Sequence, residues 1–585
     1  MYRSSPGISA YNEYMDNIDW VLKENANFGR SYSGLQAHIA NAVIKDRASM
    51  LYDPEVMDSH YDGYLHVHNM SDGIIPYCYG MDLKNILLKG IRTDRIVTKP
   101  AKHFDAALDH IVNVMCTSQQ EWAGAQAISD VNTLLAPFVR GMPYNEIKQN
   151  IQRFVYNSNF PSRSGYQTVF SNVIMNLMTP QWLIDEDVPV IIGGEPTGDI
   201  YSDYEEEADL ILRAFAEVML EGDAMGNVFT FPIPTVNVVS GYDYDNETWR
   251  KIIESDIKYG VWYYFNYWGT GIKESTVRAM CCRVNIDLTQ LASAGGRWAF
   301  AGGTGSIGVV TLNMSRIGYI AKDETQLFAE IDRLLEIAKR ALIRKGEIVE
   351  KSFYQRKIMP ISMEYGVNFK NFFRTIGVLG LNEMVVNFTG QPLSANTAFV
   401  SKVLDHINAW IIETQKETGY LWNLEMTPGE GAATRLAFKD KEKYGDIFTQ
   451  GTNEAPYLSN LLIPPSETVN IFDRVSIEQD LLRKFSGGTI FRHFLGEDTP
   501  DVDGMSKLVM RLGSNTRVPY YDLAATFSIC PSCGTYQSGK VEECRKCGTP
   551  NKIFSRVVGY YRDISKYNVG KLQEFEERTY APIIA

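Results

Sequence analysis

Apolar residues recur along the chain in two rhythms, and the rhythms alternate. Phe104, Leu108, Ile111, Val112 and Met115 fall at helical spacing in residues 104–116, which predicts an amphipathic helix with Cys116 in its core pattern. Leu327, Ile331, Leu334, Leu335, Ala338 and Leu342 make a longer apolar face of the same kind. Asp323 opens that helix as its N-cap, with Gln326 three residues on as a capping-box partner. Between such faces lie short β-rich runs: residues 73–83, 307–314 and 375–383. Val228–Val239 reads as a strand interrupted by prolines, which disfavours a place in a central antiparallel ladder. Residues 1–60 read as polar helix, and 145–220 as further helix and loop with little chemical signal. Strand-then-helix alternation over several hundred residues predicts an α/β fold.

Composition adds limits. With 585 residues, 45% of them hydrophobic and 22% charged, the chain is ordinary globular protein, long enough for a large core. A formal charge of −13 argues against broad binding of nucleic acid or anionic membrane, while leaving room for a locally basic nucleotide pocket. The opening residues are polar and acidic, unlike a secretory signal, and no apolar run reaches the roughly 18 residues of a membrane helix. These features predict a cytoplasmic protein with no membrane partner and no direct nucleic-acid partner.

The cysteines carry the strongest local signal. Cys530 and Cys533 are followed, after ten residues, by Cys544 and Cys547. Each CxxC pair spans one edge of a tetrahedron, so the four thiolates predict a closed, structural Zn²⁺ site. Two structural disulfides are the other reading, and an intracellular chain seldom keeps them. Cys281 and Cys282 are vicinal, and a disulfide between them would be strained. Cys78, near the end of a short apolar strand, reads by itself as a small buried hydrophobe. His66 and His68 share one strand face and could bind metal, although a hydrogen-bonded core pair is the preferred reading. Gly487 and Gly488, before Thr489, could expose N–H groups to phosphate, yet such a pair is more often a turn. Gly559, between Val558 and Tyr560, reads alone as a bulge or tight turn.

Context changes the last reading. The stretch RVVGY (residues 556–560), just after a four-cysteine site and near the C-terminus, resembles the radical loop of the glycyl radical enzymes, and within them the anaerobic (class III) ribonucleotide reductases. Further motifs follow in that family's order: ENAN at 24–27, HVHN at 66–69, Cys78, MCCR at 280–283, GLNE at 380–383, TPGE at 427–430, EAPYLSN at 454–460 and SGGT at 486–489. Departures are Val558 before the glycine, Gly429 where an alanine is usual, and Leu458 and Ser459 in the PYYTNS-like segment.

The resemblance implies a ten-stranded α/β barrel of the glycyl radical enzyme type with a central finger loop, followed by a zinc knuckle and a glycyl radical loop. It implies a catalytic barrel over 1–520, a zinc-binding knuckle over 521–550, and a radical loop and tail over 551–585. The stretch SQQEWAGAQAISDVNTLLAPFVR resembles the family's long helical segment, which places a dimer face and effector site near 100–140. Too little chain precedes His66 for the regulatory ATP-cone that many relatives carry.

The roles it implies are these. Gly559 carries the radical, and Cys282 at the finger tip forms the thiyl, with Cys281 beside it. Cys78 lies on the substrate's far face, and Glu430 approaches the ribose. Ser306, Ser459, Asn460, Gly487, Gly488 and Thr489 fall in substrate-binding segments. A glycine suits a radical because the Cα must be planar, and any Cβ opposes that. Implied partners are a ribonucleotide substrate, nucleoside triphosphate effectors, a radical-SAM activating enzyme and a second copy of the chain.

Two other functions compete. A formate-lyase-like or dehydratase glycyl radical enzyme lacks the C-terminal zinc site. A non-enzymatic zinc-ribbon binder would want a Lys/Arg-rich face near the knuckle, and none is present. The electron donor departs from the family's formate-using pattern: Ser306 stands where those members carry Asn, and it offers a carboxylate one donor instead of two. With Cys281 as an additional thiol, the sequence favours a thioredoxin- or glutaredoxin-like reductant over formate.

Overall fold

The computed structural model describes residues 5–19, 21, 29–185, 188–273, 277–279, 285–287, 303–496 and 501–580. Cys281 and Cys282, with the rest of the MCCR motif, and the ENAN segment lie outside the described residues.

Eleven strands build the main sheet: β1 (Leu65–Val67), β2 (Cys78–Met81), β3 (Gln126–Ile128), β4 (Ser171–Asn176), β5 (Ile233–Val238), β6 (Tyr263–Asn266), β7 (Thr304–Asn313), β8 (Phe372–Leu379), β9 (Leu421–Met426), β10 (Phe491–Phe494) and β11 (Tyr520–Ala524). Ten of them run in the order β9-β8-β7-β2-β3-β4-β5-β6-β11-β10, and β1 pairs onto β7. Within β2 to β6 every pairing is parallel, as are the pairings of β7 with β8, β8 with β9 and β10 with β11. The two halves meet antiparallel at β2–β7 and β6–β11. A parallel bridge between Glu425 and Gly488 then joins β9 to the residues leading into β10, so the sheet closes. Two five-stranded parallel halves, set head to tail, make the ten-stranded barrel that the resemblance implies.

Strands buried on both faces lose the alternating pattern of half-exposed ones. That is why 145–220 reads as helix and loop although it contains β4: Ser171, Asn172 and Asn176 are polar yet buried in the barrel. Residues 118–140 are likewise not one long helix. After a helix that ends at Ser118, a 3₁₀ turn (Gln119–Glu121), β3 and a short helix (Val131–Leu135) divide them, and Gln126 is buried, its side-chain carbonyl accepting from the Ser118 hydroxyl. Val228–Val239 supplies a central strand despite Pro234, and its ladder is parallel on both sides.

The helices that matter for the site are α1 (Tyr32–Ser49), α2 (Phe104–Ser118), α3 (Glu247–Tyr259), α4 (Glu324–Glu350), α5 (Glu430–Tyr444) and α6 (Val569–Glu577). Asp323 caps α4 by accepting from the Gln326 N–H at 2.9 Å, and Gln326 reaches back to the Lys322 N–H at 3.2 Å. Cys116, at the end of α2, is only half-buried, its sulfur 3.4 Å from the Ser162 hydroxyl.

Past the barrel, β12 (Thr526–Ile529), β13 (Tyr536–Ser538), β14 (Lys552–Arg556) and β15 (Tyr561–Asp563) form a second, antiparallel sheet in the order β13-β12-β14-β15. Phe527 on β12 holds it together, stacking on Tyr536, Phe554 and Tyr561. The cysteine knuckle and the hairpin carrying Gly559 therefore belong to one sheet.

Candidate active site

Inside the barrel lies a cavity of about 690 Å³. Cys78, Glu430 and Gly559, which come from three distant parts of the sequence, all line it. Cys78 enters from β2, buried, in register with Ser306 on β7. Its sulfur is packed so closely that a Cβ added to Gly124 would come within 2.7 Å of it. Only a glycine fits at 124, and no motif in the sequence points to this.

Gly559 enters beside the first residues of the same parallel half, where the neighbouring Tyr560 packs on Phe170 and Phe231, just before β4 and β5. The Val557 N–H donates to the Tyr560 carbonyl at 3.0 Å, which leaves Val558 and Gly559 at the tip of the β14–β15 hairpin. Gly559 is absent from the glycines with left-handed φ, so its backbone conformation does not itself demand glycine.

Beneath the tip lies a buried polar network. The Tyr263 hydroxyl donates to the Gly559 carbonyl at 2.7 Å and accepts from Arg492 at 3.2 Å. Arg492 also grips Asp522 with Nε at 2.9 Å and Nη2 at 2.6 Å. Arg556 lies 3.2 Å from the same carboxylate and stands over the Tyr263 ring at 4.4 Å. Tyr263 in turn stacks on Tyr520, centroids 5.1 Å apart. Charges this deep are tolerable only when paired, and removing one partner typically costs about 3–5 kcal/mol.

Glu430 is the first residue of α5, presented by the turn that ends β9. The Asn460 amide donates to the Pro428 carbonyl at 3.0 Å and fixes that turn. A Cβ at position 429 would lie 3.1 Å from the His68 ring, tighter than an ordinary contact. His68 bonds Thr311 at 2.8 Å, Thr311 bonds Thr427 at 2.9 Å, and Arg435 donates to His66 at 3.2 Å. Burial and the Arg435 guanidinium hold His60 down to about 3 and His68 to about 4, and burial with His68 beside it holds His66 well below its ordinary value. These are neutral, hydrogen-bonded core histidines. Among the described residues the one cluster suited to a metal is made of cysteines.

Other sequence-derived candidates stand back from the cavity. The Ser306 hydroxyl is engaged with Thr375 at 2.9 Å, and Ser459 donates to the Leu461 carbonyl at 2.8 Å. The Gly487 N–H donates to the Leu424 carbonyl at 2.7 Å, and the Gly488 carbonyl accepts from Met426 at 2.9 Å. Thr489 leans on the Met426 sulfur at 3.9 Å. The Gly487 N–H is thus taken up by the seam that closes the barrel.

The four knuckle cysteines carry no disulfide and offer sulfurs that all lie within 4.8 Å of one another. Cys530 and Cys547 are 3.4 Å apart, Cys533 and Cys547 3.6 Å, and Cys533 and Cys544 3.7 Å. Zinc–sulfur bonds of about 2.3 Å make a tetrahedral edge of about 3.8 Å, so the cluster fits a closed zinc site.

Comparison with known proteins agrees with this geometry. The family model described as anaerobic ribonucleoside-triphosphate reductase matches residues 24–580. The chain is 23% identical to the anaerobic ribonucleoside-triphosphate reductase of Haemophilus influenzae, over 95% of this chain and 83% of that one. It is also 23% identical to the enzyme of enterobacteria phage T4, covering 95% and 96% of the two chains. Among solved structures, the anaerobic ribonucleotide reductase of Thermotoga maritima in complex with dATP and CTP superposes with a TM-score of 0.76 at 20% identity, over 97% of this chain and 96% of that one. Hydroxyproline dehydratase from Clostridioides difficile shares the fold at a TM-score of 0.61 and 10% identity, over 96% and 88%. With barrel, knuckle and hairpin all inside the matched span, the chain belongs to the anaerobic ribonucleoside-triphosphate reductase family and catalyses the anaerobic reduction of ribonucleotides.

Proposed function

We propose that this reduction runs on a radical stored at Gly559 and passed to Cys282. The observation that carries the reading is that Gly559, at a hairpin tip, and Cys78, on strand β2, line one cavity. With substrate bound, Gly559 takes a hydrogen atom from Cys282, and the resulting thiyl removes the ribose 3′ hydrogen. The 2′ hydroxyl then leaves as water. Cys78 and Cys281 supply two electrons and close a disulfide, and the 3′ hydrogen returns from Cys282. Glu430 faces the ribose across the cavity. Such transfers need reacting atoms at about 3–3.5 Å and the exclusion of stray hydrogen donors.

Bound at Cys530, Cys533, Cys544 and Cys547, zinc would supply no chemistry to substrate and would brace the sheet that ends in Gly559. A radical-SAM activating enzyme generates the radical, and a redoxin reopens the disulfide. Nucleoside triphosphate effectors and a dimer face belong to the region near 100–140, in a cytoplasmic homodimer. Among the described residues no helix is long and apolar enough to cross a membrane.

Dioxygen tests the radical's position. It adds to a carbon radical and fragments the backbone, so activated protein exposed to air loses residues 560–585, about 3 kDa, while unactivated protein stays whole. Intact mass reads the cut. A cut that persists in Gly559→Ala overturns the assignment.

A further inference from the structure

We infer that Tyr263 is a positioning residue whose hydroxyl sets the electronic character and lifetime of the radical at Gly559; the inference rests on the assignment of the radical to that glycine. An α-carbon radical spreads into the adjoining amide nitrogen and carbonyl. A donor on the carbonyl oxygen strengthens its pull on the unpaired electron, and so lowers the spin left on Cα.

The geometry singles out this donor. The Tyr263 hydroxyl is 2.7 Å from the Gly559 oxygen, in a wholly buried place where such a bond is not diluted by water. Arg492 donates into the phenol oxygen at 3.2 Å, and Arg556 sits over the ring, so two guanidinium groups polarise the O–H outward. One carboxylate, Asp522, anchors both arginines. The ring itself is held by the Tyr520 stack, at an interplanar angle of 4°. Together with the Val557–Tyr560 clamp, the bond fixes the peptide plane of residue 559, and with it the direction of the Cα–H bond. A residue needed only for packing would have no use for a phenol aimed at this one carbonyl. Phenylalanine would fill the stack equally well.

The test is Tyr263→Phe in the full-length enzyme, activated anaerobically beside wild type and read by electron paramagnetic resonance. The variant keeps its ring, so zinc content and circular dichroism should match wild type. Its glycyl doublet should widen, because spin returns to Cα, and the radical's anaerobic lifetime should fall about tenfold, the worth of one net hydrogen bond. Wild type activated in D₂O should also show an exchangeable deuteron coupled to the radical, and the variant should lack it. An unchanged doublet and an unchanged deuteron coupling in Tyr263→Phe overturn the inference. If the variant does not fold, the wild-type coupling alone decides, and its absence is equally fatal. Wild type that gives neither a glycyl doublet nor an oxygen cut at Gly559 overturns the radical assignment itself, and this inference with it.

Discussion

Cys78 takes its surroundings from both halves of the barrel: β2 carries it, β7 places Ser306 opposite, and Gly124 leaves room for its sulfur. The hydroxyl of Ser306 is turned to Thr375 and the Gly308 carbonyl, so it presents no spare amide to a carboxylate such as formate. A thiol-based electron supply fits this arrangement, with Cys78 as partner to a thiol of the Cys281–Cys282 pair, since strain disfavours closing the vicinal pair on itself. Activated enzyme should then turn over repeatedly with a dithiol or redoxin and no formate. Cys281→Ala should form the radical and stop after it. Formate-dependent multiple turnover that survives Cys281→Ala would sink the idea. At this scale the chain was partly legible. Gly559 and Cys78, which the sequence singled out, do line one cavity, and the chemistry proposed for them needs those residue types. Gly124, Tyr263, Arg492 and Asp522 are not, because their importance comes from close approach across strands that are far apart in sequence.

At the scale of elements, the knuckle is structurally inseparable from the hairpin that carries Gly559. β12 pairs on one side with β13 and on the other with β14, whose last residue, Arg556, reaches Asp522 under Gly559. Loosening the four sulfurs should disturb β12 and β13 first and the hairpin tip next, while the barrel keeps its own core. Cys544→Ser should bind little metal and yield no glycyl signal while retaining near-native circular dichroism. A normal radical yield in that variant would remove the bracing role. The spacing of the cysteines made the metal site readable, because ligand geometry is local. Strands β3 and β4 escaped, since burial on both faces erases the alternation that marks a strand.

Taken whole, the molecule is a closed barrel whose C-terminal sheet plugs one end, and its interior holds ionisable groups in costly states. His60, His66 and His68 are buried near Arg435, the first two also near Lys45, and His493 is buried near Arg474; all four are held below their ordinary range. A histidine with a depressed native pKa binds its proton more readily in the unfolded chain. Its stabilising effect is present above pH 6.5 and is lost as pH falls toward its folded value, about 4 for His68. Buried carboxyls raised by desolvation, among them Asp256 at about 7, Glu383 and Glu478, work in the opposite sense. The net slope therefore mixes signs, and a difference between two proteins isolates the histidine. His68→Gln removes the titration and keeps a group able to bond Thr311. Between pH 7.5 and pH 5, wild type should lose about 2 kcal/mol more stability than this variant in urea titrations, since each unit of separation is worth about 1.4 kcal/mol. Parallel curves for the two proteins across that window would mean that His68 titrates in the folded barrel as it does in the unfolded chain, and that the cavity wall beside Glu430 gains a cation as pH falls.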